Sequence, residues 1–178
     1  MKKALLLTVL SGLSACSAIY EQDTRTAQTE WQDTQLEMAV AGIVNKAPFK
    51  GDARVNAVSY EGKLLLIGQA KTDSLKHALV TKVRELDDVK TVYDQIRIKT
   101  PLSVSDVSKD TWITTKVKSA LIASKKLRNV NIKVITEDGE VFLLGYVTRT
   151  QADEATNIAR NLSGVKQVIK GFQYYEPQ

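Results

Sequence analysis

Cysteine and histidine are nearly missing from these 178 residues: Cys16 and His77 are the single representatives of each. One cysteine excludes an internal disulfide framework, and the two scarcities together nearly close thiolate or histidine-cluster routes to metal binding and covalent catalysis. A phosphate-cradling loop would need several glycines before a helix and usually a lysine, whereas Gly68 and Gly145 stand singly after apolar runs. The apolar run from Ala4 through Leu10 is too short to cross a hydrocarbon core as a permanent helix. No cofactor and no metal are expected, and no enzyme chemistry has an obvious vehicle.

What is present begins at the N-terminus. Lys2 and Lys3 supply a positive flank to that apolar run, the pattern of a secretion signal. Leu13-Ser14-Ala15-Cys16 follows, with small residues immediately before the cysteine, and this resembles the bacterial lipobox. The resemblance implies cleavage before Cys16, a diacylglyceryl group on its sulfur and a third acyl chain on its new amine. An ordinary secretory signal with a stray cysteine is the competing reading. One acyl chain holds a protein only marginally, whereas two or three attach it stably. In lipoproteins of Gram-negative bacteria an aspartate after the cysteine implies retention at the inner membrane. Ser17 stands there instead, so the expected address is the outer membrane, on its periplasmic face. Export also makes nucleic acid an unexpected partner.

The remainder contains one module twice. At a constant offset of 77, residues 33 to 70 lie over residues 110 to 147, bringing Asp33-Thr34 onto Asp110-Thr111 and Val40 onto Val117. The same offset places Gly62 on Gly139 and Gly68 on Gly145. Residues 1–15 then read as a leader, 16–30 as a lipidated tether, 31–100 as the first domain, 101–108 as a connector and 109–178 as the second domain. Residues 17 to about 30 have a fully extended limit of about 45 to 50 Å. Proline and polar residues oppose regular structure in the connector, though Leu102, Val104 and Val107 offer packing against a module.

Each copy predicts helix, hairpin, helix, strand. Leu36, Val40, Ile43 and Val44 recur at helical spacing, as do Ile113, Val117, Ala120 and Leu121. Val55, Ala57 and Ser59 alternate, matched by Ile132, Val134 and Thr136; Glu61-Gly62 and Asp138-Gly139 then mark tight turns. Leu64 to Ile67 and Val141 to Leu144 are apolar throughout, which suggests central strands ending at Gly68 and Gly145. Thr150 and Asp153 have the spacing of a capping box for the last helix. The fold class is α+β: two tandem α-β-β-α-β modules, each with two helices on one face of a three-stranded mixed sheet.

Asp110-Thr111-Trp112-Ile113, Val117, the Asp138-Gly139 hairpin, Val141 to Gly145, Gly164-Val165 and Val168 resemble the BON domain. Copy one is a weaker match, with Leu36 in the isoleucine position and Asp88 in place of Gly164. A lipobox followed by two such domains is similar to the dual-BON outer-membrane lipoproteins associated with cell division and envelope integrity. The resemblance implies non-enzymatic periplasmic modules that bind phospholipid or envelope components. It further implies that the second copy meets anionic phospholipid through the beginning of its first helix.

The residues themselves bear on that contact. The first module carries 11 basic and 9 acidic residues over 33–100, the second 11 and 7 over 109–178; both excesses alone fit a solvated surface. Trp112 is matched by Gln35 in copy one, so the fold needs no large apolar group there. With Lys109, Thr115, Lys116 and Ser119 nearby, its indole can sit at headgroup depth while ammonium groups meet phosphate. Alternatively Trp112 folds onto the connector or seals a contact between modules. Copy one offers Glu30, Asp33 and Glu37 around Trp31 and Leu36, a poorer surface for an anionic bilayer. It reads as a spacer or protein-binding module. The alternative function is an envelope scaffold binding a protein partner or peptidoglycan through sheet edges, with Tyr93, Tyr146, Tyr174 and Tyr175 available for contacts. His77, one turn after Asp73, reads as solvated, and Asp138 reads as turn chemistry.

Overall fold

In the computed structural model residues 25–176 are described; Cys16 and the leader lie outside them. Four helices are each capped by a hydroxyl. Thr26 accepts from Thr29 N at the start of α1 (Ala27–Val44), and Thr72 from Leu75 N at α2 (Asp73–Arg84). Ser103 opens α3 (Val104–Ala123) and Thr148 opens α4 (Arg149–Arg160). Such oxygens satisfy amides that lack a partner in a helix's first turn.

The caps shift two boundaries. Because Ser103 accepts from Asp106 N at 3.2 Å, α3 starts at Val104, inside the stretch read as irregular connector. Likewise α1 starts at Ala27, so the last residues of the expected tether are helical. The capping box of α4 is formed by Thr148 and Gln151, not by Thr150 and Asp153: Gln151 N reaches the Thr148 hydroxyl while Thr148 N donates back to Gln151 at 2.9 Å.

Each module pairs its strands in sequence order. In the first, β1 (Ala53–Tyr60) runs antiparallel to β2 (Lys63–Ala70), which runs parallel to β3 (Thr91–Ile98). In the second, β4 (Lys133–Glu137), β5 (Glu140–Val147) and β6 (Gln167–Tyr174) repeat this order. The apolar strands are thus central, as read. One face of each sheet packs on its helices: Leu64, Leu66 and Ala70 join Leu36, Val40 and Leu79, while Val141 and Leu143 join Val117 and Ala155.

Gly68 and Gly145 lie within the central strands and do not end them. At Gly68, with φ 149°, an added Cβ would stand 2.0 Å from the Arg54 carbonyl oxygen, so close approach of β1 requires the glycine. Asp88 and Gly164, the visible mismatch between copies, both have positive φ (66° and 95°). Aspartate tolerates the left-handed region, so the difference leaves the local geometry intact.

The opposite, helix-free faces of the two sheets turn toward each other. Val58, Ile67 and Phe142 are buried yet belong to neither helix-side core. Glu137 sits among them at 3% exposure. It accepts from Gln69 Nε2 at 2.8 Å, Asn56 Nδ2 at 3.1 Å and the Arg54 guanidinium. Gln69 also accepts from Leu102 N at 3.2 Å, tying the connector to the same point. Lys99 with Asp138, Arg97 with Glu140 and Lys133 with Glu37 ring this contact. The result is four layers: helices, sheet, sheet, helices.

Candidate functional site

The outward side of α3 follows directly from its period. Ile113, Val117 and Leu121 face the core, so residues on the opposite stripe are left to solvent. There Trp112 is 63% exposed, Val104 85% and Ile122 84%. Thr115 and Ser119 are exposed on the same stripe, and neither carries charge. Trp112 does not seal the contact between modules at this exposure; it projects outward. Val104, Trp112 and Ile122 thus share the exposed side of α3 with polar residues between them.

The two lysines nearest Trp112 are less free than their spacing suggests. Lys109 pairs with Asp106 at 3.0 Å, and Asp106 is held below its usual carboxylate range by the Ser103 hydroxyl and by Lys109. Lys116 donates to the Ser163 carbonyl beyond α4 and lies 5.9 Å from the Trp112 ring centre, at the edge of a cation–π contact. It steadies the indole as well as supplying charge. Lys118, exposed and farther along α3, forms no ion pair among the described residues.

Copy one differs at this surface. On α1 the exposed stripe is Trp31, Gln35, Met38 and Gly42, uncharged and without flanking free lysines. The acids read there are engaged elsewhere. Asp33 is buried, Glu37 accepts from Ser59 N and pairs with Lys133, and Glu30 approaches Arg25.

Two groups escaped sequence reading. Asp33 and Asp110, the repeated aspartates, turn inward and bind the hairpin of their own module. Asp33 accepts from Glu61 N at 2.8 Å and Gly62 N at 3.0 Å; Asp110 accepts from Asp138 N at 2.7 Å and Gly139 N at 2.8 Å. Burial pushes the Asp33 carboxyl up, but bonds from Ser59, Gly62, Glu61 and Arg25 outweigh it and hold the group below the usual range. Recurrence at a constant offset of 77 from turn to turn was the available signal. Glu137 had none, since its counterpart is Tyr60 and its partners lie in the other copy.

His77 sits 3.0 Å from Asp73 with both side chains largely in solvent. Among the described residues no group of three or more His, Cys, Asp or Glu is placed to hold a metal ion, and no helix is long and apolar enough to cross a membrane. A cleft of about 500 Å³ between the modules is lined by Arg25, Asp33, Glu37 and Lys133, whose charges pair with one another.

Two α-β-β-α-β units, each exposing an uncharged stripe of its first helix, define a tandem α+β protein. The family model described as BON domain matches residues 32–100 and 109–175, and the chain belongs to the BON-domain family. It is 42% identical over 166 residues to outer membrane lipoprotein DolP of Haemophilus influenzae, covering 93% of this chain and 86% of that one. A 21 kDa hemolysin of Actinobacillus pleuropneumoniae is 43% identical over 86% of this chain and 80% of its own. Osmotically-inducible protein Y of Escherichia coli is 24% identical, covering 94% of this chain and 93% of its own.

Proposed function

We propose that the chain is a periplasmic lipoprotein, anchored in the outer membrane through acyl chains on Cys16, whose second module binds anionic phospholipid and supports envelope integrity and division. The observation that carries the lipid contact is Trp112, 63% exposed on a helix face whose flanks bear lysines. Indole prefers the headgroup boundary, and ammonium groups near a bilayer gain about 1 kcal/mol each from an anionic leaflet. The relative named as an outer membrane lipoprotein, matched over 93% of this chain, supports the address.

Lipid on Cys16 supplies attachment, and α3 supplies selectivity within the membrane. Once anchored, the module meets the surface at high effective concentration, so a weak local contact suffices. Co-sedimentation of the unlipidated chain with vesicles tests this contact. Binding to phosphatidylcholine containing phosphatidylglycerol, little binding to phosphatidylcholine alone, and a loss of about tenfold for Trp112→Ala are expected. Equal binding by Trp112→Ala would sink the role of that residue.

A further inference from the structure

The contact between the modules has two sides, and the repeat relates them. Leu144, Gly145 and Tyr146 on the wide cleft stand where Ile67, Gly68 and Gln69 stand on a narrow one at the offset of 77, and Tyr60 stands where Glu137 does. Gly171 and Gln173 likewise match Gln95 and Arg97 at the offset of 76 that relates β6 to β3. Yet the wide cleft holds about 500 Å³ and the narrow one about 30 Å³.

A segment of chain closes the narrow side. The connector runs along it: Lys99 pairs with Asp138, one of its lining residues, and Leu102 N donates to Gln69, another, at 3.2 Å. At the offset of 77, Leu102 corresponds to Arg25 and the cap Ser103 to Thr26. The counterpart of the connector is therefore the stretch directly before Arg25, and Arg25 itself lines the wide cleft. That stretch, residues 17–24, lies outside the described residues.

Its composition suits the surface it enters. Ile132 and Leu144, both half-buried, give the wide cleft an apolar floor, and Gly145 and Gly171 leave parts of the sheet bare of side chains. Three cations line it. Arg25 pairs with Asp33 and Lys133 with Glu37, whereas Lys118 forms no ion pair among the described residues. Residues 17–24 read Ser-Ala-Ile-Tyr-Glu-Gln-Asp-Thr: two large apolar side chains, two acids and no cation. Where the narrow cleft offers polar Gln69 to its connector, the wide one offers the Tyr146 ring, which calls for a more apolar occupant.

We propose that residues 17–24 dock in the wide cleft as a strap, with Ile19 and Tyr20 on the Ile132 and Leu144 floor and Glu21 beside Lys118. From Arg25 back to Tyr20 the chain spans at most about 17 Å, so these residues reach the cleft that Arg25 borders. Burial of two apolar side chains is offset by the ordering of the segment, and attachment to α1 supplies a high effective concentration, so docking is reversible. The consequence rests on the anchoring proposed at Cys16. With the strap docked, the reach from Cys16 to the body of the protein falls from about 40 Å to about 10 Å. The strap sets whether the modules lie close to the membrane or stand off it.

Cys16 is the single cysteine, so a nitroxide attached there on the unlipidated mature chain reports where the segment sits. Amides of Asn131, Ile132, Gly145 and Gly171 should broaden, while those of α2 stay sharp. Tyr20 lies outside both cores and Lys118 is exposed, so Tyr20→Ser and Lys118→Glu leave the fold intact. Each should abolish most of the broadening, and Glu21→Lys added to Lys118→Glu should restore it. Weak uniform broadening in the wild type, broadening indifferent to Tyr20→Ser, or failure of the charge exchange to restore it would overturn the strap. A nitroxide on one copy that broadens the cleft of a separately isotope-labelled copy would assign the cleft to a neighbouring molecule and overturn it as well. No membrane is present, so these results stand apart from any failure of the phospholipid reading.

Discussion

Asp33 and Asp110 perform one task in two places: each carboxylate closes a hairpin whose turn residues have positive φ and amides turned inward. Removing such an acceptor strands buried donors, which costs far more than the bond contributes. Asp33→Ala should destabilise by about 2–4 kcal/mol in urea unfolding. Exposed Trp112 is the opposite case, and Trp112→Ala should change stability by less than about 0.5 kcal/mol while reducing vesicle binding. The Asp33 pKa is depressed in the folded chain, so its contribution is present above the unfolded value of about 3.9 and is lost as pH falls through the folded value. Circular dichroism across acid pH should show this loss diminished in Asp33→Asn. The sequence displayed both aspartates as a repeat, but it did not reveal that they point inward. An acid beside Trp31 looks like surface until the turn it binds is placed next to it.

At the scale of elements, period and turn chemistry carried most of the information. The 3.6-residue stripes of α1 and α3, the Glu61-Gly62 and Asp138-Gly139 turns and the central apolar strands were legible because local patterning specifies them. Start points were less so. Several hydroxyl residues compete as caps near each helix, and the choice of Ser103 over a later position depends on whether the chain before it is free to extend. Gly68 illustrates the same limit: its spacing suggested a strand end, whereas its reason is the Arg54 carbonyl across the sheet. Gly68→Ala should therefore destabilise by about 2–3 kcal/mol, read as a fall in the thermal midpoint, because both φ and space oppose a Cβ.

Across the whole molecule, the helix-free sheet faces are the feature least visible in the sequence. Leu64 to Ile67 and Val141 to Leu144 are apolar on both faces, which signalled burial without naming the partner. The partner is the other copy. Modules of about 70 residues bury only about 60% of their unfolded surface, so this contact contributes materially to each. Glu137→Ala should leave Arg54, Asn56 and Gln69 without their acceptor, lower stability by roughly 2–4 kcal/mol and broaden or split the calorimetric transition. A joined pair of modules also presents α3 in a fixed direction relative to the chain entering at Ala27. On the anchoring proposed at Cys16, the ten residues between it and Ala27 set an upper limit of about 40 Å on the reach of the tether.

Amide chemical shifts of the unlipidated chain titrated with anionic phosphatidylglycerol micelles report whether α3 of the second module faces the membrane. Perturbations concentrated along residues 104–130, with the sheets of both modules unchanged, are the predicted result. Perturbations confined to the edge strands of module one would exclude α3 as the contact and favour recognition of a protein strand in its place.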